Sequence, residues 1–336
     1  MNGYERLNAM LKGSQIDRPG AAVWAHCNLI DHDPIEFPRR LQEFQEANDW
    51  DFIKMMYGQF HFVEDFDCNI QPARPEFPHP RMMKYPIDDI TDWDRLRMIS
   101  GRDGSLKREV EATKKIVDKF HGKTPVLATV FSPFTNAAEM TGGYFRQSII
   151  VAQARNHPEI IERALQRLTD ITIAFCDELV KAGVDGVFFA DQFASSDLLT
   201  CEEHTHFVEK YDRQILDYLK DKTWFNMVHV HGTKNLMMDK FYNYPVQALN
   251  WEDISSNVSM SEARSKTDKV LVGGIEQNKD FLSWDRATLK ATLKERIDTA
   301  RTAAGDKLII APGCAIPANT PDFKFNVLKE VMNELV

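Results

Sequence analysis

Three residues in this sequence have the types and spacing to hold a metal ion. His229 and His231 stand two apart at the end of the apolar run 225–230, and Cys314 follows Gly313 just beyond the apolar run 308–311. In an extended strand, residues two apart project to the same side. Two imidazoles at this spacing can face one ion, and a thiolate from a second strand end can join them. Two His and one Cys make a zinc set with a fourth position left for water or substrate. The same residues admit a second reading, in which both histidines hydrogen-bond inside a polar pocket and Cys314 is a small buried hydrophobe. A second His-x-His, at His204 and His206 beside Cys201, falls in a predicted helix. Residues two apart do not share a helix face, so this set is expected on a helix surface.

Other polar residues stand at the ends of apolar runs: His26, Lys54, Ser132, Glu139, Asp191, Gln192, Glu252, Asp253, Glu276 and Gln277. Asp191 closes the stretch GVDGVFFAD. A carboxylate there can orient a ligating histidine, act as a base or pair with a basic group; a helix-cap or loop hydrogen bond is the plainer role. Lys54 sits late in an apolar run, a costly place for an ammonium without a partner. It either reaches a site and binds an anion or pairs with a neighbour such as Glu276. Trp24, Phe131, Phe134 and Trp251 can wall a pocket or fill the core. The chain has no Gly-x-Gly-x-x-Gly after a strand, no Walker loop and no Gly-x-Ser-x-Gly elbow.

The elements that must position these groups follow a repeated rhythm. Eight runs, over 21–26, 51–56, 125–131, 184–191, 225–230, 246–251, 270–275 and 308–311, are nearly continuous in apolar residues. Strands buried on both faces of a parallel sheet read this way. Amphipathic helices are predicted over 103–121, 158–182, 201–220, 285–304 and 321–335, with a short extra helix over 4–12 that can cover the barrel bottom. Strand and helix in alternation predict an α/β fold, a (β/α)8 TIM barrel, whose chemistry gathers at the C-terminal strand ends. The segment 64–98, with five prolines and no helical period, is expected as a long loop after the second strand, over that face.

The chain of 336 residues suggests two domains by length alone. The barrel rhythm and the lack of a linker make residues 1–336 one domain. A formal charge of -9 argues against nucleic acid as a partner. No apolar run is long enough to span a bilayer, so no membrane is expected. The first twenty residues carry no secretory pattern. Five scattered cysteines point to a reducing cytoplasm rather than a disulfide framework.

Several motifs resemble one family. They are Tyr4-Glu5-Arg6 with Asp17-Arg18-Pro19 and Val23-Trp24, His157-Pro158-Glu159 with Leu168-Thr169-Asp170, Ala182-Gly183-Val184-Asp185-Gly186, and the close from Gly313-Cys314 to Pro317 and Thr320-Pro321. Together they span nearly the whole chain and resemble the uroporphyrinogen decarboxylase superfamily, which also holds the methylcobamide:coenzyme M methyltransferases. The resemblance independently implies a (β/α)8 barrel. The decarboxylase pattern fits poorly. The Arg-rich stretch after the first strand is replaced by Ala25-His26-Cys27-Asn28-Leu29, the essential Asp after the second strand by Gly58, and the active-site Tyr after the third by Glu139. A tetrapyrrole polycarboxylate would lose its anchors there.

The methyltransferase branch carries zinc on a His-x-Cys after strand five and a Cys after strand eight. His229 and Cys314 match, while His231 stands where the branch has Cys. Exchanging a thiolate for an imidazole leaves the centre more positive, which favours Lewis-acid or hydroxide chemistry over thiol alkylation. The resemblance thus implies a zinc-dependent, methyltransferase-like enzyme acting on a small-molecule substrate or on a methyl group carried by the corrinoid of a partner protein. His229, His231 and Cys314 would hold the metal. Asp191 and Glu276 are candidates for a fourth ligand or a base, and His26 and Lys54 would face the substrate. Two alternatives stay open: uroporphyrinogen decarboxylase or another cofactor-free decarboxylase, and a non-catalytic barrel that binds a small ligand or a corrinoid partner. Members of the family often form homodimers; the sequence itself does not decide this.

Overall fold

The structure is a computed structural model that describes all residues except Leu282, Trp284 and Val336, and the side chain of Tyr144. Its frame is eight parallel strands: β1 (Gly20–Ala21), β2 (Ile53–Met55), β5 (Val126–Phe131), β6 (Gly186–Asp191), β7 (Met227–Val230), β8 (Ala248–Trp251), β9 (Val270–Ile275) and β10 (Leu308–Pro312). They hydrogen-bond in the order β1-β10-β9-β8-β7-β6-β5-β2. This is the neighbour order of a (β/α)8 barrel, and the curled sheet is consistent with one. Its two ends, β1 and β2, share no ladder; Asp51 N donates to Ala21 O at 2.8 Å below them. Every residue of β6, β9 and β10 is buried, as continuous apolar runs require.

The helices are α1 (Gly3–Leu11), α2 (Glu36–Asn48), α3 (Gly104–Phe120), α4 (Pro133–Thr141), α5 (Ser148–Asn156), α6 (Pro158–Ala182), α7 (Cys201–His204), α8 (Lys210–Leu219), α9 (Met260–Lys266), α10 (Arg286–Ala304) and α11 (Asp322–Asn333). Helix α6 begins with Pro158 in its first turn and ends at Gly183, whose φ of 91° is the left-handed conformation that glycine accepts without strain. The predicted helix 201–220 is interrupted by a π-helical turn over Thr205–Glu209, so α7 and α8 are its two ends.

Helix α1 packs across the N-terminal strand ends. Tyr4 N donates to Lys123 O at 2.9 Å, and the Tyr4 and Trp224 rings meet edge-on at 5.1 Å. Beneath it lies a buried ion network. Arg6 Nε donates to Asp17 Oδ1 at 2.7 Å, and Arg6 also pairs with Asp51. Arg18 Nη1 donates to Asp51 Oδ2 at 2.8 Å. Asp51 thereby ties α1 and the Asp17-Arg18 turn to the start of β2.

Segment 64–98, expected as a loop, contains an antiparallel hairpin of β3 (Asn69–Gln71) and β4 (Arg81–Lys84) and a 3-10 turn over Ile90–Arg95. The hairpin's strands are short and largely exposed, which is why no alternating apolar signal marks them. Its tip reaches the mouth of β1, where Asn28 Nδ2 donates to Pro78 O at 2.9 Å.

Candidate metal centre and adjoining cavity

The register of β7 on β8 places His229 opposite Asn250. Asn250 Nδ2 donates to Val272 O at 2.9 Å and to Pro312 O at 3.1 Å. With its amide nitrogen committed, Asn250 Oδ1 must accept, and it lies 2.6 Å from His229 Nδ1. The hydrogen-bond network therefore assigns the proton to Nδ1 and leaves Nε2 with the lone pair a metal needs. The ring is held from the side by Phe188, stacked at 5.3 Å between centroids. Burial lowers the His229 pKa against the opposing pull of Cys314, so the imidazole is neutral at pH 7. Burial likewise lowers His231, against the charges of Glu252 and Asp191.

Cys314 arrives from the far end of β10. The turn needs Gly313: a Cβ there would lie 2.6 Å from Glu252 Cα and 2.9 Å from Trp251 O, so only glycine lets β10 pass the end of β8 this closely. The Cys314 sulfur lies 4.0 Å from His231 Nδ1. Burial pushes the thiol up, but its hydrogen bond to His229 and the charges of His229 and Lys54 bring the pKa below its ordinary value. The donor atoms of His229, His231 and Cys314 lie within 4.8 Å of one another. Two neutral imidazoles and an acidified thiol fit zinc in type and number.

The other expected residues divide between this centre and its surroundings. Lys54 Nζ lies 4.0 Å from the Phe188 ring centroid, and its polar contact is the Met56 sulfur at 2.9 Å. It does not pair with Glu276. Burial draws its pKa down to about 7, with Cys314 pulling the other way. His26 is held down to about 4, by burial first and then by the charges of Lys54 and His79. His26 and Lys54 both line a cavity of about 700 Å³ beside the metal centre. Trp24 is on the same wall, whereas Phe134 and Trp251 are wholly buried.

Asp191 is fully buried behind β6, where its Oδ1 accepts from Phe193 N at 2.6 Å and its Oδ2 meets His204 Nε2 at 3.1 Å. Its carbonyl accepts from His231 N at 2.9 Å, so it reaches the metal strand through the backbone. Glu276 closes the turn after β9: its Oε2 accepts from Lys279 N, and its own N donates to Asp280 Oδ2 at 2.9 Å. Neither carboxylate joins the triad. His204 departs from the expected helix surface: it is 0% exposed, because α7 turns it inward to Asp191. His206 is outside, 2.7 Å from Glu162.

Two contributors, Asn250 and Phe188, carry no mark in the strand-end pattern, and Glu252, expected only as a strand-end polar residue, acts beside them. Asn250 orients His229, and a lone Asn in the buried strand ALNW is the signal that could have pointed to it. Phe188 supports both His229 and Lys54. Glu252 faces His231 electrostatically and accepts from Gln277 Nε2 at 2.6 Å. Glu139, a residue the strand-end pattern does mark, stands apart on α4: it is 5% exposed, its Oε2 has no hydrogen-bond partner, and burial raises its pKa to about 7.

The family model described as Uroporphyrinogen decarboxylase (URO-D) matches residues 48–335. The chain belongs to this family. Among curated proteins it is 21% identical over 343 residues to "Methylcobamide:CoM methyltransferase MtbA" of Methanosarcina mazei, covering 97% of this chain and 96% of that protein. It is 27% identical over 242 residues to "Uroporphyrinogen decarboxylase" of Francisella tularensis subsp. mediasiatica, covering 70% and 68%. Among solved structures, a methyltransferase from Methanosarcina mazei superposes with a TM-score of 0.80 at 20% identity, covering 99% of each chain. That likeness fixes the α/β architecture. Among the described residues no helix is long and apolar enough to cross a membrane.

Proposed function

We propose that this member of the uroporphyrinogen decarboxylase family is a zinc-dependent, methyltransferase-like enzyme that acts on a small molecule or on a methyl group carried by the corrinoid of a partner protein. The observation that carries the reading is the triad: three donors from two distant strand ends within 4.8 Å, with His229 held by Asn250 in the tautomer that ligates. His229, His231 and Cys314 hold the ion. When bound, zinc supplies a Lewis acid that lowers the pKa of whatever nucleophile or water it carries. The protein's share is orientation and charge. Asn250 fixes the His229 ring, Gly313 fixes the approach of Cys314, and Lys54 places a positive charge on the side of the cavity. The curated methyltransferase and decarboxylase relatives support an enzyme rather than a passive binding barrel.

The decarboxylase reading is less well served. Among the residues lining the cavity, Arg40 is the one arginine, against the several carboxylates of a tetrapyrrole substrate. The five cysteines are free, which suits a reducing cytoplasm, and the architecture suits one barrel domain. The test is elemental analysis of the purified protein with and without Cys314→Ser. Zinc near one equivalent that falls at least tenfold in affinity in the variant supports the reading. A metal-free protein whose zinc affinity is the same in both forms refutes it.

A further inference from the structure

In the ring of strands, β1 and β2 are neighbours without a ladder. Above their single link at Asp51 the wall is open, and the cavity of about 700 Å³ occupies that opening. Its lining comes from both sides of the wall. His26 and Lys54 belong to the strand ends, whereas Phe44, Trp50 and Phe325 belong to the layer of α2 and α11. The lining therefore joins the strand ends at His26 and Lys54 to the layer of α2 and α11.

Its chemistry is one-sided. The chain carries 50 acidic against 41 basic residues, yet no Asp or Glu lines this cavity, while Lys54, His26, Arg40 and His79 do. Lys54 is packed on Phe188 with no carboxylate within 4 Å among the described residues. The His26 Nδ1 is buried without a partner. An ammonium buried away from any carboxylate is costly, and a ligand's anion in contact with it would offset that cost. The remaining wall is aromatic and aliphatic. The volume falls in the range of drug-sized ligands, far beyond a two- or three-carbon ion.

We propose that this cavity binds an organic monoanion with a hydrocarbon body, its anionic group against Lys54 and His26 and its body between α2 and α11. This goes beyond the reaction class proposed above by naming the kind of molecule held beside the triad.

Decanoate, below its micelle concentration, is the probe. Trp24 and Trp50 line the cavity, so intrinsic fluorescence reports binding, with calorimetry giving stoichiometry. One equivalent of decanoate should bind at least tenfold more tightly than decan-1-ol, which has the body without the charge, and than propionate, which has the charge without the body. Lys54→Met should weaken decanoate at least tenfold and leave decan-1-ol within twofold. Ala318→Trp, at the exposed rim of the cavity, should weaken both and serves if the lysine variant does not fold. Equal affinity for decanoate and decan-1-ol, tighter binding of propionate, or no saturable binding would overturn the proposal. The measurement involves neither metal nor turnover, so it can fail while zinc is retained, and zinc can be absent while decanoate binds.

Discussion

Glu139→Gln should change how stability depends on pH, and the size of the change follows from the burial of this side chain. Glu139 is 5% exposed, and one carboxyl oxygen has no hydrogen-bond partner. Burial alone raises its pKa from 4.5 to about 7. In the unfolded chain the group ionises near its ordinary value of about 4.3. The folded state therefore holds a proton that the unfolded state has released between those two values. Stability from this group is complete below about pH 4, falls as pH rises and is lost once pH passes about 7. At about 1.4 kcal/mol per pKa unit, the loss is roughly 3 kcal/mol. Glutamine keeps the shape and cannot ionise. Urea unfolding of both proteins from pH 4.5 to 8 should show the variant gaining roughly 3 kcal/mol on the wild type across the range, with equal m-values. Parallel profiles would mean that Glu139 is solvated or paired in solution, and the burial argument would fail.

Other expectations concern the metal centre and the base of the barrel. Asn250→Ala should lower zinc affinity about 10- to 100-fold, the usual cost of removing the group that orients a ligating histidine; competition with a chromophoric chelator measures it. His231→Cys, which restores a second thiolate, should retain zinc and raise the pH at which a bound water ionises, read from the pH profile of activity or of a metal-substituted spectrum. Arg6→Ala removes one of the two arginines that pair with the buried Asp51 and leaves Arg18; it should cost about 1–3 kcal/mol in denaturant unfolding.

The barrel strands are legible because burial on both faces leaves an unbroken apolar run, and α6 is legible because Pro158 and Gly183 punctuate it. Four helices left no such mark, among them the nine-residue α5, which starts without a side-chain cap. In α4 all nine residues are buried, so there is no polar face and no period to see. Helix α2 starts at Ile35 without a side-chain cap and ends on Asp49 in the left-handed conformation, where the usual signals would be Ser, Thr or Asp and then Gly. Helix α9 has only seven residues, too few for a period. In the site, the His-x-His spacing exposes two ligands because they lie on one strand. Asn250 becomes visible only through the register of β7 on β8, which no local pattern encodes. The His-x-His spacing at 204 and 206 says only that the two share no helix face, not which one faces inward; α7 turns His204 in to Asp191 and leaves His206 outside.

The mouth of the barrel is electrically divided, and the division bears on how the two sites act together. On the β1–β2 side stand His26, Lys54, Arg40 and His79, with no acid lining the cavity. On the β8–β9 side stand Glu252, Asp253 and Glu276; burial lifts Asp253 to about 6 although it accepts from Gly274 N at 3.0 Å. The triad lies between them. Cys314 and His229 feel Lys54 and His231 feels Glu252, so the three ligands sit in the fields of both flanks. A molecule bound as proposed keeps its anionic end on the basic flank at Lys54 and runs its body away from the triad, between α2 and α11. Lengthening that body adds contact with α2 and α11 without moving the charged end, which is why a chain-length series is the informative set of ligands for this cavity.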